Sequence, residues 1–240
     1  MNSNRLVSAF LSLCACLTYH QSIAGTAIVF NSSYLVAFEQ GKRIVGFYAA
    51  ENEKFSCSFL FFTTPYSEKY HPEVAGYKSA EVFTFVQSDD RLRFGERDSE
   101  FDVRGVIYST GDQWVLQTDT EQAGCGNGTG GFSFGPSGSA LNRFSIENRF
   151  PAIGLRTVIR KSYLYERNKD FFNRKPKYLT KNDNVIVLNE KSGYSYVRFF
   201  DPRFYVSKPG AITLGWLRSA DLLNPFPGNW PNHPAPYYED

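Results

Sequence analysis

No stretch of this chain carries an apolar stripe at helical spacing; short runs rich in Phe, Tyr, Val and Ile recur instead, separated by polar turns. Apolar side chains at every second residue bury one face of a strand, whereas spacing of three to four buries one face of a helix, so the cadence points to strands. In the first half the runs are Thr26 to Phe30, Tyr34 to Phe38, Arg43 to Ala49, Ser56 to Phe62, Ala80 to Val86, Phe101 to Tyr108, Gln113 to Thr118 and Gly131 to Phe134. Within Val82-Phe83-Thr84-Phe85-Val86 the two phenylalanines share a face, and in Ser56-Cys57-Ser58-Phe59 the cysteine and Phe59 lie opposite the serines. Turns fall at Gln40-Gly41, Ser88-Asp89-Asp90 and Thr110-Gly111-Asp112. Aromatics make up 17% of the 240 residues, with 22 Phe, 15 Tyr and 3 Trp, a bias that suits a pleated, half-buried surface. The expected fold class is all-β, with a disulfide-bonded antiparallel sandwich or barrel in the first half.

The chain opens on a secretion-like segment. Polar Asn2 to Arg5 precede an apolar run from Leu6 to Leu17, which is too short to span a bilayer. Ser22-Ile23-Ala24 then offers a small-x-small cleavage site, so residues 1–24 read as a signal peptide removed after Ala24. A rival reading takes Leu13-Cys14-Ala15-Cys16 as a lipobox that would leave Cys16 acylated. Either way the protein is expected outside the cytoplasm, periplasmic or secreted, with no transmembrane segment.

Cysteine usage agrees with that address. Cys14 and Cys16 lie in the signal, which leaves Cys57 and Cys125 as an even pair in an oxidising compartment, where one disulfide is the default. Charge divides the remaining chain: residues 25–150 hold 11 Lys and Arg against 16 Asp and Glu, and residues 151–240 hold 14 against 8. Opposite net charges help two units dock face to face, although exposed charges are screened within about 10 Å at 0.1 M salt. A nucleic-acid partner fits neither the address nor the near-neutral total.

Pro151 is expected to close the first domain near residue 150, and a second strand-rich unit follows to Leu223. From residue 224 onward the chain holds five of its 12 prolines, which excludes a helix or a central strand and predicts an extended tail with Phe226 and Trp230 packed. The second unit contains, in order, Val158 to Ser162, Tyr178 to Leu188, Gly193 to Phe199 and Leu214 to Leu222. These segments resemble the bacterial SH3-like (SH3b) domain over about residues 156–223. Lys181-Asn182-Asp183 is similar to the family's Lys-Gly-Asp turn with Asn182 in the glycine place, Gly215-Trp216 to its Gly-Trp-Val, and Ala220-Asp221-Leu222 to its closing strand. One departure is a long basic insertion from Tyr165 to Lys177, expected as a loop that reshapes any groove. The resemblance implies a small five-stranded barrel that binds peptides, peptidoglycan or proteins and is rarely catalytic. It places the groove near Tyr163, Tyr165, Tyr196 and Trp216; the alternative is that these side chains fill the barrel.

Catalytic chemistry finds few materials. Beyond the signal only His71 and His233 remain, so a triad has almost nothing to use. No His-Glu-x-x-His, Cys-x-x-Cys or calcium loop is present, and no metal or cofactor is expected. Gly126 to Gly131 satisfies Gly-x-Gly-x-x-Gly, but Phe132-Ser133-Phe134-Gly135-Pro136 follows where a dinucleotide site needs a helix N-terminus. The glycines read instead as a turn that lets Cys125 reach Cys57, or as an exposed loop whose amides meet a partner. Carboxylates at Asp89, Asp90, Glu96, Asp98, Glu100, Asp102, Asp119 and Glu121 lie among Arg91, Arg93, Arg97 and Arg104, and read mainly as self-paired surface.

The sequence therefore predicts a non-catalytic envelope-binding protein whose partner is a protein or peptidoglycan, in the style of proteins that inhibit wall-active enzymes or confer immunity to them. The competing expectation is a peptidoglycan hydrolase that works through paired carboxylates, with the SH3-like unit as targeting arm, whose turnover would be lost when a single carboxylate such as Asp98 or Asp102 becomes Asn.

Overall fold

A computed structural model describes residues 25–32, 34–64, 76–88, 90–122, 124–126, 131–138 and 142–228. The signal segment, His71, Asp89, His233 and Trp230 lie outside the described residues, as does most of the glycine run after Gly126.

The first eight strands are β1 (Gly25–Phe30), β2 (Leu35–Gln40), β3 (Arg43–Glu51), β4 (Ser56–Thr63), β5 (Lys78–Phe85), β6 (Val103–Ser109), β7 (Gln113–Thr118) and β8 (Arg143–Ala152). Each pairs antiparallel with the next, and β8 returns to β1 with Ile28 opposite Arg149, which closes an up-and-down barrel. Eight strands leave a lumen about wide enough for side chains to fill. Here Phe30, Tyr48, Phe59, Phe61, Trp114 and Phe144 belong to the buried cluster of that lumen. A Cβ at Gly46 would collide with the Phe61 ring, so this glycine makes room for a large neighbour.

Gly131 to Phe134 was expected as a strand and is a turn. Its Phe132 is fully buried, edge-on to Tyr48 and Phe59 at 5.0 and 5.1 Å, and stoppers the barrel core. The Cys57–Cys125 disulfide ties this connection to β4. Gly124 permits the approach through a positive φ of 80°, in a place where a Cβ would lie 2.6 Å from the Ser56 carbonyl oxygen.

The eighth strand is β8, which runs through Pro151. β7 pairs with β8 only at Arg143 to Ser145, so the later half of β8 is hydrogen-bonded on one side alone. A proline is tolerated on such an edge because no neighbour needs its missing N–H. After a single residue, Ile153, whose N–H donates to the Val187 carbonyl at 2.8 Å, the chain enters the second sheet.

That sheet comprises β9 (Gly154–Val158), β10 (Ser162–Asn168), β11 (Phe171–Leu179), β12 (Asn184–Lys191), β13 (Tyr194–Phe200), β14 (Ile212–Arg218) and β15 (Leu222–Leu223), in the order β11-β10-β14-β13-β12-β9-β15. Val158, Leu164, Leu179, Val185, Val187, Val197 and Leu217 form its own core. Asn182 has φ 74°, a left-handed conformation that asparagine tolerates better than most residues. Buried Asp221 accepts from Arg160 Nε at 2.6 Å and Ser162 Oγ at 2.8 Å, pinning the last turn to the start of β10.

A third apolar cluster joins the two sheets. On the barrel side it holds Ala27, Val29, Val36, Phe38, Phe47, Leu60, Phe62, Phe83 and Phe85; on the other side it holds Leu155, Ile186, Phe200 and, from the tail, Phe226. Phe85 and Phe226 meet edge to face at 6.3 Å. Main-chain bonds stitch the margin, with Glu51 N–H donating to the Pro202 carbonyl at 2.9 Å and Phe204 N–H to the Glu51 carbonyl at 3.0 Å.

Because the disulfide closes 69 residues, loop entropy assigns it about 4 kcal/mol. Urea unfolding of the Cys57→Ala/Cys125→Ala variant should show a loss of that order; an unchanged midpoint would show that the plug is held without it.

Candidate functional site

The basic insertion expected as a loop is the β10–β11 hairpin, whose tight turn carries Lys169 at φ 54°. Hydrogen bonding converts this polar, exposed stretch into two strands, and Pro176 sits on β11, the sheet edge, where no neighbour requires its N–H. The hairpin raises one wall of a cleft whose floor is β14 and whose opposite wall is β13.

An aromatic ladder lines this region. Tyr196 and Trp216 are cross-strand partners with ring centroids 5.2 Å apart, and Trp216 is also opposite Tyr165 in the β10–β14 register. Phe172 stacks on Tyr194 at 3.9 Å and meets Trp216 at 5.4 Å, while Tyr165 meets Tyr194 at 5.0 Å. Trp216 is half-buried on the face opposite Leu217, so it belongs to the outer face of the sheet and not to its core. Cross-strand aromatic pairs hold one another in register, which gives a rigid surface before any ligand arrives.

The resulting cleft encloses about 660 Å³ and is lined by Tyr165, Tyr196 and Trp216 together with Leu164, Leu214 and Asn189, and by the charged Glu166, Arg167, Lys175 and Lys177. Leu214 and Ile212, two residues apart on β14, are 52% and 51% exposed. Lys175 pairs with Glu166; Lys177 Nζ donates to Thr213 Oγ1 at 2.7 Å and Arg167 Nε to the Lys169 carbonyl at 2.7 Å. Three cations against one carboxylate leave the cleft positive. Beside it, hydrogen bonding to the Tyr194 hydroxyl is the main cause that raises the pKa of the Arg218 guanidinium.

Of the four residues singled out in the sequence, the structure gathers Tyr165, Tyr196 and Trp216 on this cleft. Tyr163 stands apart, because the pairing register of β10 with β11 shifts between Tyr163 and Tyr165. It joins a neighbouring cluster with Tyr178 at 5.8 Å, Arg174 at 4.6 Å from its ring, and Lys161 at 4.0 Å from the Tyr178 ring. Phe172, Tyr194, Leu214, Lys175 and Lys177 were missed. The Phe171-Phe172 pair and the alternating basic residues after it carried the signal, but a stretch read as a loop supplies no face on which to place them.

The carboxylates considered for acid–base work are mostly engaged. Arg97 grips Asp102 from Nε at 2.9 Å and from Nη2 at 2.6 Å, and burial raises the Asp102 pKa against the pull of that arginine. Asp98 accepts from the Glu100 N–H at 3.2 Å, Glu96 lies 3.5 Å from Arg93, and Glu121 accepts from Ser133 Oγ at 2.8 Å. Asp90 and Asp98 line a second, open cleft of about 780 Å³ with Ser56, Ser58, Arg91 and Gly124, and Asp102 is not among its lining residues. Among the described residues no group of three or more His, Cys, Asp or Glu is placed to hold a metal ion. No described helix is long and apolar enough to cross a membrane.

Compared with known proteins, the chain matches no family model, no curated protein and no solved structure.

Phe172→Ala should free Tyr194 and open the Trp216 indole to water while leaving the sheet core intact. A red-shifted tryptophan emission with a melting temperature lowered by only a few degrees is the expected result; unchanged emission would show that Phe172 does not shape the cleft.

Proposed function

We propose that this protein is a non-catalytic, extracytoplasmic binding protein that recognises a peptide-like ligand of the cell envelope through the cleft of its second sheet. One observation carries the reading: Tyr165, Tyr196, Trp216 and Phe172 form a preordered aromatic surface on the outer face, rimmed by Arg167, Lys175 and Lys177. Aromatic rings give large contact area with few rotatable bonds, and the cations add orientation and speed to association. The SH3-like resemblance supports the same surface and suggests a wall peptide or a wall-associated protein as ligand. The disulfide and the secretion-like segment support the address. Binding by surface complementarity needs no proton-transfer residue, which fits a chain with three histidines in 240 residues. Masking of a wall-active enzyme is the role this reading favours.

Sedimentation with purified sacculi and titration with soluble wall peptides test it, beside inhibition assays on wall hydrolases. Saturable binding or inhibition, lost in Tyr196→Ala/Trp216→Ala and retained in Asp98→Asn, is expected. Absence of both activities in the folded protein, or turnover of wall material that Asp98→Asn abolishes, would overturn the reading.

A further inference from the structure

The β10–β11 hairpin carries more surface than the cleft uses. Of its residues only Leu164 and Leu179 enter the apolar core of the second sheet, and every residue of β11 from Asn173 to Tyr178 is exposed. We propose that this hairpin docks on an anionic phospholipid bilayer, with Phe171 entering the headgroup region and the Lys and Arg side chains around it meeting lipid phosphates. The proposal is independent of what fills the cleft and adds a second partner, a membrane surface.

The turn places the ring. Asn168 pairs with Phe171, which leaves Lys169 and Asp170 as a two-residue connection and puts Phe171 at the tip. It is 76% exposed, the highest value among the exposed large hydrophobic residues described. Successive strand residues point to opposite faces, so the stacking of Phe172 on Tyr194 turns Phe171 away from the cleft and holds it there. Tyr178, 44% exposed, and Tyr163 lie nearer the base of the hairpin, with their rings 5.8 Å apart. A lone exposed ring on a protein surface needs no explanation. A ring at the tip of a hairpin, with tyrosines behind it, has the composition of an interfacial anchor, because amphipathic aromatic side chains favour the layer between water and hydrocarbon.

Charge selects the kind of bilayer. Between Ser162 and Leu179 the chain holds Arg167, Lys169, Arg174, Lys175 and Lys177 against Glu166 and Asp170, and Lys161 and Lys181 flank the hairpin. Lys175 is paired with Glu166, whereas Arg174 lies over the Tyr163 ring at 4.6 Å and Lys161 over the Tyr178 ring at 4.0 Å, so cations and rings share one patch. Each Lys or Arg close to an anionic bilayer strengthens partitioning about fivefold, and several acting with one inserted ring give stable attachment. A second copy of the chain is a poorer partner. β11 is an edge strand, but Lys175-Pro176-Lys177 blocks strand addition, since proline has no N–H to donate and lysine resists burial.

The test sediments residues 25–240, which contain every described element and omit the apolar leader, with phosphatidylcholine vesicles that either contain or lack phosphatidylglycerol. Binding to the anionic vesicles alone is expected, weakened as salt is raised. Phe171→Ser should weaken it about tenfold, as loss of a buried ring implies. Lys169→Gln/Arg174→Gln, which leaves the residues lining the cleft untouched, should weaken it by more than about tenfold. Both variants should melt at the native temperature, because none of these side chains belongs to the core of the sheet. In Phe171→Trp, lipids brominated on the acyl chain should quench tryptophan emission that they leave unquenched in the native chain. No binding to anionic vesicles, equal binding to both kinds, or binding that Phe171→Ser leaves intact overturns the proposal. Binding that soluble polyphosphate abolishes and Phe171→Ser spares would assign the hairpin to a soluble polyanion and overturn the bilayer as partner.

Discussion

The layer of apolar side chains between barrel and second sheet is the constraint on which the rest of the structure depends. An eight-stranded barrel filled with aromatics needs nothing outside itself, yet β1 to β5 present Val29, Val36, Phe38, Leu60, Phe62 and Phe85 outward. Burying one such side chain stabilises by about 1.5–3 kcal/mol, so leaving the set in water is untenable. Leu155, Ile186, Phe200 and Phe226 cover it. The cover fixes which face of β13 turns toward the barrel. Phe200 enters the shared layer, Arg198 lies over the rings of Phe150 and Phe200 at 5.1 and 4.9 Å, and the same face continues to Tyr196 in the cleft and to Tyr194, whose ring meets that of Tyr165. Interface and cleft are thus two ends of one strand face.

That arrangement also explains what the sequence made legible. Ser56-Cys57-Ser58-Phe59 alternates because the serines face solvent there, and Phe59-Leu60-Phe61-Phe62 stops alternating because the second sheet covers the outer face. Both patterns mark strands, so seven of the eight barrel strands could be read from the sequence to within a few residues. The eighth could not: Arg143 to Ala152 is polar on one side and contains Pro151, and only its unpaired edge makes it tolerable. Phe132 drew a strand reading to Gly131–Phe134 because an apolar residue between small ones looks the same whether it lines a sheet or plugs its end. The disulfide was legible from an even pair of cysteines and the expected compartment alone.

The site was half legible. Trp216, Tyr196 and Tyr165 stood out through the motif order of the second unit, and strand alternation puts them on one outward face. The β10–β11 hairpin did not stand out, because its exposed, basic residues have no apolar face for periodicity to detect. What holds it is the ladder of main-chain bonds to β10 and the stacking of Phe172 on Tyr194, neither of which a single sequence displays.

The lumen of the closed barrel is filled, and the aromatic-lined cleft lies on the second sheet. The charge divide follows the same line, with the cations of the second half gathered partly at the cleft. Binding at that cleft would be sensed by a sheet that cannot loosen without exposing the shared layer. Amide hydrogen exchange in sub-denaturing urea tests this most directly. If the layer makes one cooperative unit, amides of β1 and of β12 will open with the same free energy and the same urea dependence. Separate opening of β9 to β15 at a lower free energy, with the barrel still protected, would contradict the account.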